Sequence, residues 1–112
     1  MKQKIAIPTS NGKLDAHFGH CRHFTLVDVE GENVVDTKLI DAPPHEHGLL
    51  PRWLAERNVT DVIAGGMGER AMQLLESRNI HVFAGAPVMD TQELVNKFLD
   101  NSLTFSPHKC HH

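Results

Sequence analysis

The stretch Asp61-Val-Ile-Ala-Gly65-Gly-Met-Gly68-Glu-Arg-Ala71-Met-Gln-Leu-Leu-Glu-Ser77, followed by Ile80-His-Val-Phe83, decides the fold. A short β-branched run, a glycine turn, an apolar stripe at helical spacing and a second short run are the signature of a βαβ unit, which joins parallel strands. The spacing predicts strands over Asp61–Ala64 and Ile80–Phe83 and a helix from Glu69 to Ser77 with Ala71, Leu74 and Leu75 inward. Asp61, at a strand start, is expected to be solvated. Another helix follows from Gln92 to Asp100, with Leu94, Val95, Phe98 and Leu99 on its apolar side and Asp90 or Thr91 as its N-cap. Glu56-Arg-Asn-Val-Thr-Asp-Val-Ile-Ala-Gly65 is echoed by Glu76-Ser-Arg-Asn-Ile-His-Val-Phe-Ala-Gly85, so a helix end, an Asn cap, a strand and a glycine occur twice.

Working back toward the N-terminus, Lys4–Pro8 reads as a buried strand ended by the turn-forming run Thr9–Lys13. Phe24–Val29 and Val34–Ile40 read as strands joined by a hairpin turn over Glu30–Asn33, hence antiparallel. A helix from Leu49 to Arg57 buries Leu50, Trp53 and Leu54 and tolerates Pro51 only in its first turn. Two strands, then alternating strands and helices, imply a mixed sheet with helices on its faces. If the second strand descends from the first and the third rises again, the loops Thr9–His23, Asp41–Gly48, Gly65–Gly68 and Gly85–Asp90 share one edge. Open α/β sheets bind ligands at that edge.

The chemistry is concentrated in those loops. His17, His20, Cys21 and His23 fall within seven residues, His45 and His47 flank Glu46, and His108, Cys110, His111 and His112 close the chain, leaving only His81 of nine histidines outside a cluster. Imidazole and thiolate both ligate transition metals, and such clustering in a pocket is the cue for a metal site. The spacing is not that of a zinc finger. If the Pro43-Pro44 run holds the next residues extended, His45 and His47 point to one side. Gly65-Gly-Met-Gly68 after a strand and before a helix aims backbone N–H groups and the positive end of a helix dipole at the same place, which favours an anion. Gly66-x-Gly68-x-x-Ala71 has the form of a dinucleotide fingerprint, but Phe83-Ala-Gly85 supplies no acid for a ribose, and no P-loop Lys or Ser/Thr follows.

The 112 residues suffice for one domain, and 40% hydrophobic with 22% charged residues is a globular profile. A net charge of -3 offers no broad basic surface, so nucleic acid is not an expected partner. Two cysteines do not make a secreted disulfide scaffold, and no apolar run is of membrane-spanning length. The expected location is cytoplasmic, with no membrane partner.

Asp15-Ala-His17-Phe18-Gly19, a strand opening on Phe24, His45-x-His47-Gly48, the Asp61–Ala71 element and Gly85 together resemble the dinitrogenase iron-molybdenum cofactor biosynthesis family, of the NifX and NifB C-terminal-domain type. The likeness runs from about Ile5 to Phe105. It implies a three-layer ribonuclease-H-like α/β fold, with a mixed five-stranded sheet in the order 3-2-1-4-5, strand 2 antiparallel and helices on both faces. It also implies a carrier or scaffold, not an enzyme, for an iron-sulfur or molybdenum-containing cluster, in the company of the orange protein of sulfate reducers. Cofactor donor and acceptor proteins would be its partners.

Within that resemblance His17, Phe18 and Gly19 match the His-Phe-Gly position and His45 and His47 match the His-x-His-Gly loop of some members. His20-Cys21 departs from it, members often having Arg or another polar residue there. Protein-built iron-sulfur clusters commonly take four thiolates. With two cysteines, this chain suits a preassembled cluster bringing its own sulfide, seated on Gly66, Met67 and Gly68 with His17, His45 or His47 and Cys21 as anchors and His20 and His23 as further candidates. Residues 1–105 are expected to form this single domain and residues 106–112 a flexible tail that picks up metal separately. The competing readings are a small nucleotide-binding or hydrolytic α/β enzyme and an interaction module that binds zinc or nickel adventitiously.

Overall fold

The computed structural model describes residues 2–15, 22–43 and 49–103. In chain order its elements are β1 (Lys2–Ser10), β2 (Lys13–Leu14), β3 (His23–Glu30), β4 (Asn33–Asp41), α1 (Leu49–Glu56), β5 (Asp61–Ile63), α2 (Glu69–Glu76), β6 (His81–Phe83) and α3 (Thr91–Leu99). One mixed sheet runs β4-β3-β1-β5-β6, the expected order, with β2 added beside β1 as a sixth strand. β3 is antiparallel to β1 and to β4, while β5 and β6 run parallel to β1.

The alternation of β1 splits the interior into two cores. Ala6 joins Phe24, Leu26, Leu54, Val62, Met67 and Leu75 under α1 and α2. Ile5 and Ile7 join Val27, Val29, Ile63, Leu94 and Val95 under α3. Successive strand side chains face opposite ways, so the central strand feeds both layers, and each fully buried Ile, Leu or Phe contributes roughly 1.5–3 kcal/mol. On the first face Phe24 packs its ring 5.6 Å from that of Trp53, fixing α1 to β3. On the second, Phe83 and Phe98 meet edge to face at 4.9 Å. Pro51 is buried in the first turn of α1, where its missing N–H costs nothing.

Each helix ends in the same way. Asn58, Asn79 and Asn101 all take the left-handed conformation at φ 63°. After α1, the Val59 N–H donates to Leu54 O and the Asn58 N–H to Ala55 O; after α2, Ile80 and Asn79 do the same to Leu75 and Glu76; after α3, Ser102 and Asn101 do so to Lys97 and Phe98. These are Schellman closures with Asn in the place usually taken by Gly, a residue whose short amide tolerates that region. The repeated Asn of the sequence is thereby explained, and a third copy appears at Asn101.

Three expectations need correction. Asp61 is not solvated: it is only 3% exposed and accepts hydrogen bonds from Gln3 Nε2 at 3.1 Å and Thr60 Oγ1 at 2.7 Å. Leu74 does not face inward but is 36% exposed, because Leu75 with Ala71 and Met72 sets the buried stripe of α2 and its neighbour lies a hundred degrees round the helix. The run Thr9–Lys13 is also more than a terminating turn. β1 continues to Ser10, Asn11 and Gly12 turn at φ 53° and 80°, and β2 pairs back onto it with Thr9 opposite Leu14. Both central residues at positive φ are what a two-residue hairpin needs, and Asn-Gly is its strongest signal.

Candidate functional site

The sheet's direction puts the ends of β1, β4, β5 and β6 on one edge, with the β3–β4 turn around Gly31 at the other. β2 refines that edge. On one side β1 is occupied by β3 up to Thr9, which faces His23. On the other side it pairs with β5 through Ala6 and Val62 and, farther along, with β2. The hairpin therefore fills the space beyond the short β5, and the Asp15 N–H donates to Pro8 O at 2.8 Å. Asp15 thus emerges directly past the end of β5, beside the turn that begins at Ala64.

A second set of backbone bonds locks the hairpin to the loop that precedes α3. The Leu14 N–H donates to Met89 O at 3.0 Å, the Thr91 N–H donates to Gly12 O at 3.1 Å, and Lys13 bridges to Asp90. The glycine turns of β5 and β6 are joined in the same manner, Gly85 N–H to Gly65 O at 2.7 Å and Ala86 N–H to Ala64 O at 3.0 Å. On the far side of β1, the Ala42 N–H donates to Arg22 O at 2.9 Å. The described residues flanking the first His cluster, Asp15 and Arg22, and those flanking the second, Pro43 and Leu49, all belong to this carboxyl edge. His17, Phe18, Gly19, His20, Cys21, His45 and His47 themselves lie outside the described residues, as do His108, Cys110, His111 and His112 of the tail.

The candidates that are described behave differently from one another. His23 opens β3, half-buried, with Nε2 3.4 Å from Asp41 Oδ1 across the β3–β4 ladder. Met67 is only 5% exposed and packs in the core under α1 and α2, so its side chain braces the turn from within. Gly66 and Gly68 are exposed. Gly68 caps α2 at φ -67° and ψ 151°, with no side-chain cap, and its carbonyl accepts the first helical bond from Met72 N–H at 3.1 Å.

That backbone geometry is open to any residue. A Cβ built on Gly68 would meet nothing within 4 Å. Neither strain nor crowding accounts for a glycine here. A side chain here would add bulk to an exposed position at the start of α2, where the first-turn amides have no intrahelical partners and the partial positive charge of the helix is concentrated. Among the described residues no three His, Cys, Asp or Glu side chains converge to hold a metal ion. The sequence had pointed to the glycine turn; it missed β2, although Asn11-Gly12 was the available signal.

An uncharacterised protein of Methanocaldococcus jannaschii is 27% identical over 105 residues, 89% of this chain and 88% of its own length. The crystal structure of PH0822 superposes with a TM-score of 0.87 at 29% identity, over 93% of this chain and 95% of that one. The apo form of the orange protein from Desulfovibrio gigas superposes with a TM-score of 0.77 at 22% identity, over 95% and 94%, a likeness of fold. With the family model described as dinitrogenase iron-molybdenum cofactor matching residues 1–101, nearly the whole described chain, the protein belongs to that family.

Proposed function

We propose that this protein is a carrier or scaffold for a preassembled, anionic metal-sulfur cluster, iron-sulfur or molybdenum-containing, and that it binds and releases this cargo without transforming it. The observation that carries the reading is the exposed Gly68 at the start of α2, without a side-chain cap and in a conformation that does not require glycine, next to the exposed Gly66 on the edge to which both His loops are anchored. Family membership and the name of that family support the same cargo class.

The chain's donors fit such a cargo. Two cysteines cannot supply the four thiolates of a protein-built cluster. A cluster that arrives with its own sulfide shell needs few protein ligands. His17, Cys21 and one of His45 and His47 would anchor it, with His20 and His23 as further donors, while the amides of Gly66, Met67 and Gly68 neutralise its charge. Few ligands also favour release, which a carrier needs, to acceptor proteins from donor proteins in the cell interior. No described helix is long and apolar enough to cross a membrane.

The test is anaerobic reconstitution with a synthetic iron-sulfur or thiomolybdate cluster, read by elemental analysis and charge-transfer absorption. The double variant His17→Ala/Cys21→Ser is expected to lose roughly tenfold or more of the loading, on the scale of a perturbed metal site, with an unchanged melting temperature and circular dichroism. Full loading in the folded double variant would remove these residues from the site. A melting temperature raised by nucleotide but not by cluster would favour the enzyme reading, and binding of zinc alone the adventitious one.

A further inference from the structure

The two edges of the sheet are unequal. β6 is three residues long, but β4 runs nine residues with β3 on one side and no described strand on the other. Three of its apolar side chains lie open, Val34 at 43%, Val35 at 63% and Leu39 at 61% exposure. Such an edge invites another strand. A groove of about 390 Å³ between β4 and α3, lined by Thr25, Val27, Val34, Thr37 and Val95 among others, continues that apolar face inward.

The pattern of charges on β4 identifies what fits. Asp36 and Lys38 flank Thr37, and both are more than half exposed. In an antiparallel pair of two β4 strands related by a two-fold axis through Thr37, Asp36 of each copy faces Lys38 of the other. Asp36, Thr37 and Lys38 pair regularly in this register; beyond them the bulge at Val35 breaks the alternation, leaving the exposed Val35 and Leu39 of the two copies near one another. The adjacent registers that keep the sheet faces matched are centred on Asp36 or on Lys38, and each sets like charges opposite one another, which is destabilising.

We propose that β4 is a self-association edge whose partner is a second copy of this chain, paired antiparallel about Thr37 into a continuous sheet. Within one copy and among the described residues Asp36 makes local contacts, its Oδ1 accepting the Thr37 N–H at 3.0 Å and its Oδ2 4.0 Å from Lys38 Nζ. Exposed contacts of that kind are weak and exchangeable. The register shift between Asp28 and Val29 leaves Val35 as an extra residue in β4, so the regular part of the ladder is Asp36 to Asp41. An edge of this length is small beside the ~1,200–2,000 Å² of a stable interface, and the association is a weak, concentration-dependent one. A bulge and a lysine are also devices by which edges resist pairing; here the lysine meets its opposite charge in one register only.

Sedimentation equilibrium of the full chain up to millimolar concentration, with reductant to keep Cys21 and Cys110 from crosslinking copies, tests this. The wild type is expected to dimerise with rising concentration and less at high salt. Each single reversal, Asp36→Lys or Lys38→Asp, alters two contacts per dimer and is expected to weaken association by about tenfold or more, whereas the double reversal restores it to within about threefold. Melting temperatures keep loss of fold apart from loss of pairing. A wild type that stays monomeric throughout overturns the proposal, as does a dimer indifferent to the single reversals or not rescued by the double one.

Discussion

The two ends of the sheet are finished in opposite ways. At the end opposite the glycine turns, backbone and side-chain groups are closed onto one another: three Asn-capped helices, the buried Asp61 held by Gln3 and Thr60, and Lys4 Nζ 3.7 Å from Asp28. Even the exposed Asp100 there is occupied, hydrogen bonds from Ser102 holding its carboxyl below the usual range. At the carboxyl edge the N-caps of α2 and α3, Gly68 and Asp90, make no side-chain cap bond. One end is closed by side-chain as well as backbone bonds, whereas at the other the described loops are joined backbone to backbone and the starts of α2 and α3 carry no side-chain cap.

Substitutions that act on one end alone sharpen that contrast. The largest effect is expected from Asp61→Ala, which removes the buried acceptor shared by Gln3 and Thr60 and should cost about 2 kcal/mol in urea unfolding, with cluster loading of the folded protein unchanged. A loading defect in that variant would mean that the closed end also governs the site. A smaller loss, roughly 1–2 kcal/mol, is expected from Asn79→Ala, because a Cβ without a compensating amide is strained at positive φ, while Asn79→Gly should be nearly neutral; equal losses would show that the Asn side chain matters through contacts and not through its backbone. The smallest stability change, within about 0.5 kcal/mol as for an exposed site free of special features, is expected from Gly68→Ala, yet loading should fall. Stable protein with full loading would break the assignment of Gly68 to the cargo.

Much of this was legible in the sequence, for reasons that can be named. Strand directions followed from the β-branched runs, the hairpin turn and the helical crossovers, the order of the strands came with the family resemblance, and Asn58 and Asn79 announced their caps because a local motif needs only local residues. Asp61 was misread because Gln3, one of its two partners, lies 58 residues away along the chain, beyond any periodic pattern. β2 went unread because two residues, Lys13 and Leu14, carry no alternation to detect. At the site, the glycine turn was visible as a motif, but its openness could be judged only once Gly68 had a conformation and surroundings. Met67 was named beside it as part of the Gly66–Gly68 amide run, and the burial of its side chain shows that one residue of a turn can pack inward while its neighbours are exposed.

The Asn11-Gly12 hairpin separates the frame from what it displays. Asp15 is bonded on the β5 side of β1 and Arg22 on the β3 side, so six residues link anchors about two strand spacings apart, roughly 10 Å at ~4.8 Å per strand. Six residues can extend roughly 20 Å, and doubling a loop's length costs only ~0.6 kcal/mol. The segment can therefore be exchanged as a cassette, its donor atoms rewritten or its length altered, while every hydrogen bond that fixes its ends stays in place. On the proposed reading, in which His17, His20 and Cys21 are among the donors, a change in their chemistry is a matter of six letters, not of a new fold.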